Sequence, residues 1–155
     1  MKRLTPVQAI LIGGAAGGLG DILFAIGMAL YRGDTAQHLL QIVASGALGQ
    51  AAFAGGWGTA LLGLGLHFLM SFGWAALLVA ALRRQPYYLD RFPLPIAVAC
   101  GVLVLLVMRM VVLPLSAFPF PSGLKPSWPL FLDLLSHVFL FALPIVLAAR
   151  RTLRR

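Results

Sequence analysis

Four long apolar runs set the pattern of the chain: roughly Val7 to Tyr31, Trp57 to Leu82, Pro93 to Leu115 and Trp128 to Ala149. Each is long enough to cross about 30 Å of hydrocarbon at a helical rise of about 1.5 Å per residue. The pattern therefore predicts an all-α membrane protein, a four-transmembrane-helix bundle forming one integral membrane domain over residues 1–155. Between the first two runs lies a shorter segment, Asp34 to Gly56, where Asp34 or Thr35 caps an expected helix continuing through His38 and Leu39 to Gly46. This adds an outer interfacial or re-entrant helix over residues 35–54. Gln41, Ser45, Gly46, Gly49 and Gln50 suit a re-entrant stretch, whose backbone must be sheltered by protein; an amphipathic helix lying in the interface is the alternative. A full fifth crossing is disfavoured, because it would put the Arg83 to Arg91 connection outside. The last connection, Ala117 to Ser127, is stiff and proline-rich, with Phe118 and Phe120 expected on the outer leaflet or over the bundle mouth.

Composition places these runs in lipid. The chain is 61% hydrophobic and 10% charged, where a soluble domain carries about 25% charged residues, and its mean hydropathy is +0.95. It has no Glu, four acidic residues in all and 12 Lys plus Arg, for a formal charge of +8. That excess does not signal nucleic acid, because nine cations flank apolar runs: Lys2, Arg3, Arg83, Arg84, Arg91, Arg150, Arg151, Arg154 and Arg155. Such positions suit anchors for anionic lipid headgroups and put both termini in the cytoplasm. Only Arg32 and Lys125 lie in the opposite connections. Tyr31, Trp57 and Trp128 then mark the outer interface, and Tyr87 and Tyr88 the inner one. Lys2 and Arg3 mimic the start of a signal peptide, but the run after them is long, broken by glycine and holds Asp21, so it is expected to stay attached. The single Cys100 has no partner for an internal disulfide. No internal repeat and no soluble domain is evident.

Five ionisable residues interrupt the apolar runs: Asp21, His67, Arg109, Asp133 and His137. A charge in hydrocarbon costs several kcal/mol, so such residues face partners, cavities or substrate paths. At about 1.5 Å per residue, Asp21, His67 and His137 lie about 14–15 Å below the outer interface, and Arg109 and Asp133 about 8–9 Å. Asp133 and His137 are four residues apart and share a helix face. One reading is structural: an Arg109–Asp133 ion pair, with the histidines bonded to Ser71, Ser136 or backbone. The functional reading is an outward cavity lined by Asp21, His67 and His137, with Arg109 as anion anchor or charge compensator, serving a small solute, ion or proton path. Histidine titrates at about 6.5, which suits proton movement. His67 and His137 could also hold haem axially, or bind a transition metal together with Asp21. No HxxH, HExxH or CxxC spacing supports a metal, and no cofactor is predicted. Ser71 and Ser136 lie in no nucleophile motif, so an enzyme is not expected. His38 falls on the outer segment and is expected to be solvated.

Gly13, Gly14, Gly17 and Gly18 form two overlapping GxxxG spacings on helix one, a pattern that permits close helix approach. They serve either packing within the chain or a face for a homodimer or a larger membrane complex, in which the protein would be an accessory subunit. Gly63, Gly65 and Gly73 offer a matching groove on helix two. Pro114 and Pro144 predict local kinks or, for Pro114, termination.

The stretch His67-Phe68-Leu69-Met70-Ser71-Phe72-Gly73-Trp74-Ala75, then Pro114-Leu115, Ser136-His137 and Arg150-Arg151, resembles the YagU-like bacterial inner-membrane proteins. Ala44-Ser45-Gly46 and Ala52-Phe53-Ala54-Gly55-Gly56 resemble segments of small uncharacterised proteobacterial membrane proteins. The resemblance implies a multi-pass protein of the bacterial inner membrane with no established enzymatic activity. A link of that family to acid resistance would suit titratable groups, but Arg109 has no counterpart in the pattern.

Overall fold

The structure, a computed structural model, describes residues 3–121 and 123–153. Lys2, Arg154 and Arg155, three of the nine flanking cations, lie outside the described residues. The described chain is all helical. Helices α1 (Pro6–Tyr31), α3 (Gly56–Leu82), α5 (Pro93–Leu115) and α6 (Trp128–Arg150) are each long and apolar enough to cross a membrane. Between α1 and α3 stand the short helix α2 (Ala36–Leu48) and a 3-10 stretch, Gly49–Ala54. Helix α4 (Pro86–Arg91) links α3 to α5.

Local chemistry starts these helices where the sequence signals lie. Thr5 caps α1 by accepting from the Gln8 N–H, while the Gln8 side chain accepts from the Thr5 N–H. Thr35 caps α2 by accepting from the His38 N–H, so of the two expected caps it is Thr35 rather than Asp34 that serves. Ser127 caps α6, with Pro129 in the first turn, where its missing N–H costs nothing.

The four long helices do not form a square. α1 and α6 pair at the centre, with α3 packed on α1 and α5 packed on α6. The glycines of helix one explain that arrangement. Gly13 and Gly17 lie against Ile145 and Phe141 of α6, and a Cβ on Gly17 would stand 2.7 Å from the Phe141 carbonyl oxygen. Gly14 and Gly18 lie against Phe72 and Ser71 of α3. Both GxxxG pairs are therefore in contact inside the chain, one on each neighbour. Gly63 of α3 takes the backbone of α2 in the same way, its missing Cβ leaving room for the Leu40 carbonyl. Without a hydrophobic force between helices in lipid, such close van der Waals approach is what holds them.

A widened turn precedes the inner proline of both α5 and α6, and α5 ends one residue after Pro114. The N–H of Leu113 reaches the carbonyl of Met108, and that of Leu143 reaches Val138, five residues back. A proline removes one donor and crowds the carbonyl four residues earlier, so a widened π turn takes up the mismatch. These turns span Met108–Val112 in α5 and Ser136–Ala142 in α6. The crowded carbonyl of α6 belongs to Leu140, and it rests against Gly20 of α1.

The two ends of the molecule differ. At one, the Leu4 N–H donates to the Arg151 carbonyl at 3.2 Å, Arg3 Nε to the Thr152 carbonyl at 2.6 Å and Arg150 Nε to Asp90 at 2.9 Å. Both chain ends and the α3–α5 connection thus share an arginine-rich end, as an even number of crossings requires. A dense core of Leu78, Val79, Leu89, Val104, Ile145 and their neighbours fills that half. At the other end, the Ala117 N–H donates to the Gly46 carbonyl at 2.9 Å, and Phe120 meets Phe53 edge-on at 5.9 Å. The proline-rich loop therefore lies over α2 and the 3-10 stretch. Among the described residues, a small cluster of Ile22, Leu40 and Ala60 is packed beneath.

Two outcomes test this arrangement. Gly63→Ala forces a Cβ into the α2 backbone and should lower stability in detergent by about 1–3 kcal/mol, whereas Gly65→Ala, which meets open space, should be neutral or slightly stabilising. Single cysteines placed at Ala36 and at Gly123 should label from one side of a membrane, and one at Tyr88 only from the other.

Candidate functional site

The thinly packed half contains a cleft of about 280 Å³ between α1, α2, α5 and α6. Asp21, Arg109 and Asp133 line it, Arg32 and Asp34 stand near the end of α1, and Phe24, Met28, Leu39 and Leu132 give it apolar walls. It lies toward the end opposite the arginines, with Asp21 about three turns, or roughly 15 Å, down α1 from Tyr31.

Its polar groups are bonded as follows. Arg109 reaches Asp133 Oδ2 with two nitrogens, Nε at 3.2 Å and Nη2 at 2.7 Å. Both side chains keep about a third of their surface open, 33% and 31%. His137 Nδ1–H donates to the Asp133 backbone carbonyl at 2.8 Å and stands 3.3 Å from Asp133 Oδ1. Asp133 thus sits between Arg109 and His137. Asp21 accepts from the Ser136 hydroxyl at 2.6 Å. Arg109 belongs to the π turn of α5, and Ser136 and His137 to that of α6. The two relaxed turns therefore carry three of the polar side chains around the cleft, and such turns recur at functional sites.

The structure brings together part of the expected constellation. Asp21, Arg109 and Asp133 share the cleft, and the Arg109–Asp133 pair is present. His137 adjoins the cluster through Asp133. His67 does not join it: its Nε2–H donates to the Gly18 carbonyl at 2.8 Å, across the α1–α3 contact. Ser71 does the same one turn away, donating to the Gly14 carbonyl at 2.7 Å. These two bonds are braces between helices, the structural alternative that the sequence left open for the histidines. For His67 to serve as a haem or metal ligand through Nε2, the Gly18 bond would have to be given up. Among the described residues, no group of three His, Cys, Asp or Glu side chains is gathered as a metal site.

The expected contacts of the short segment divide similarly. Gln41 Nε2 donates to the Gly56 carbonyl at 3.0 Å and to Thr59 at 3.3 Å, fastening α2 to the start of α3. Ser45 closes on the Ile42 carbonyl of its own helix, and Gln50 is exposed. The sequence reading missed Thr59, whose hydroxyl donates to the Ala52 carbonyl at 2.6 Å and helps fold the 3-10 stretch back onto α3. It also missed Arg32 and Asp34 as cleft residues, since both lie in a connection rather than in an apolar run.

His38 lies four residues from Asp34, and its Nδ1 stands 2.8 Å from Asp34 Oδ2. The His38 imidazole, helped by the Thr35 N–H, holds the Asp34 carboxyl below the ordinary carboxylate range.

Comparison with family models, with curated proteins and with solved structures returns no match to this chain. The fold and composition themselves define the class: an all-helical, multi-pass membrane protein.

Two measurements probe the site. Arg109→Leu leaves Asp133 without its guanidinium partner and should cost about 1–3 kcal/mol, and adding Asp133→Asn should restore part of the loss. The Asp34 carboxyl should titrate below ordinary aspartate by NMR and return upward in His38→Ala. Because its folded value is depressed, its contribution is present above the unfolded value and fades as pH falls through the folded one.

Proposed function

We propose that this is a non-enzymatic protein of the bacterial inner membrane whose cleft binds or passes a small solute, ion or proton, with the arginine-rich end in the cytoplasm. The observation that carries the reading is the placement of Asp21, Arg109 and Asp133, all on helices long and apolar enough to cross a membrane, in one cleft. Ionisable groups at that depth are costly in hydrocarbon, and a polar cavity is the setting in which they persist. The cleft's volume of about 280 Å³ lies just below the usual range for drug-sized ligands, about 300–1,000 Å³. The occupant is accordingly small.

The orientation follows from the charge asymmetry. Arg3, Arg83, Arg84, Arg91, Arg150 and Arg151 share one end with both chain ends, and the positive-inside rule assigns that end to the cytoplasm. The cleft then opens toward the outer face, and the roof made by α2 and the proline-rich loop lies in the outer interface.

Reconstituted in liposomes, the protein should equilibrate at least one of protons, alkali cations, small ammonium compounds or small organic acids faster than empty liposomes. Ala25→Trp, which fills the cleft from α1, should abolish that flux. Rates equal to those of empty liposomes across the panel, with no ligand raising the melting temperature, would overturn the reading.

A further inference from the structure

We infer that the cleft is a cation site, with Asp21 as the group that receives a small organic ammonium ion. This rests on the cleft reading above and adds the charge of the occupant. The chain has only four carboxylate side chains, and three have a basic partner: Asp133 the guanidinium of Arg109 at 2.7 Å, Asp90 that of Arg150 at 2.9 Å and Asp34 the imidazole of His38 at 2.8 Å. Asp21 is the exception. Among the described residues its hydrogen-bond partner is the neutral Ser136 hydroxyl. His137 lies within electrostatic reach of Asp21, yet its Nδ1 is directed to Asp133. Arg109 shares the cleft but spends two nitrogens on Asp133.

Three of the four carboxylates, Asp21, Asp34 and Asp133, therefore line one cleft of a chain whose net charge is +8. Two cations, Arg32 and Arg109, line it with them. With Arg109 set against Asp133 and His38 against Asp34, Asp21 is the carboxylate of the cleft whose side-chain bond comes from a neutral hydroxyl.

The surroundings narrow the chemistry. One carboxylate and one hydroxyl are too few protein oxygens to hold a hard divalent ion stripped of its water, since such an ion takes six or more ligands. Phe24, Met28 and Leu39 beside Asp21 instead suit an alkylated ammonium, with its charge on the carboxylate and its carbon body on apolar and aromatic walls.

The test reads the cleft with charged thiol reagents. In a Cys100→Ala background, Ala25→Cys places one thiol on the cleft wall. Its rates with trimethylammonium-ethyl and sulfonato-ethyl methanethiosulfonate are each normalised to a free thiol. The cationic reagent should be favoured by about tenfold, the effect of one carboxylate at short range in a medium of intermediate dielectric. Asp21→Asn should remove the preference, Asp21→Glu should keep it, and tetramethylammonium, but not methanesulfonate, should protect the thiol. Equal normalised rates, or a preference unchanged in Asp21→Asn, would overturn the cation site while leaving the cleft in place. A thiol unreactive toward both reagents overturns the cleft and the cation site together. Should Asp21→Asn fail to fold, the preference and the protection in the Ala25→Cys parent decide.

Discussion

Close contact between α1 and its two neighbours is the constraint on which the rest depends. In water, burial of apolar surface would drive such helices together; in lipid that force is absent, and shape has to supply the attraction. Gly13 and Gly17 let α6 approach, and Gly14 and Gly18 let α3 approach. One helix thereby holds two partners on adjacent faces. The same closeness brings the His67 and Ser71 donors within reach of the Gly18 and Gly14 carbonyls. It also brings Ser136 to Asp21. The polar contacts of the interior are thus a consequence of small residues, and each polar contact is in turn a condition for leaving its group in hydrocarbon.

The molecule divides its labour along the membrane normal. The arginine end is densely packed and tied by the Leu4–Arg151 backbone bond and by Arg3 on the Thr152 carbonyl. The opposite end is held by fewer apolar contacts and by the bonds of Gln41 and Thr59. The Phe118–Phe120 loop lies over α2 and the 3-10 stretch there. An open space beside the polar residues lies in this more thinly packed half.

Much of the architecture was legible in the sequence. The four runs match the four long helices to within a residue or so at each end, since apolar length is a direct readout of the span. The short helix was legible from Thr35, although its break into a 3-10 stretch at Gly49 follows from the positive φ of 58° there, which composition alone does not announce. The Arg109–Asp133 pair was legible because depth and opposite charge leave few alternatives. His67 was not separable from the cleft residues, because depth does not fix rotation about a helix axis. It turned out to face α1 through Gly18. Pro114 and Pro144 announced irregularity, and α5 does end one residue after Pro114, but the widened turns before both rings were not legible.

Those widened turns uncouple the two halves of each helix in rotation. A π turn accommodates one residue beyond the ordinary ladder, and one residue of α-helix corresponds to about 100° of azimuth. In α6 the residues before and within the turn present Asp133 and Ser136 to Arg109 and α1, while Ile145 beyond it is set against Gly13. Deleting one residue between Ser136 and Ala142 would remove the widened turn and keep that phase, whereas winding the full sequence as a regular ladder would swing one half against the other. Either the polar face would turn toward the acyl chains or Ile145 would leave its glycine. A one-residue insertion tolerated by the backbone thus sets the phase between the part of α6 that carries charge and the part that carries the core.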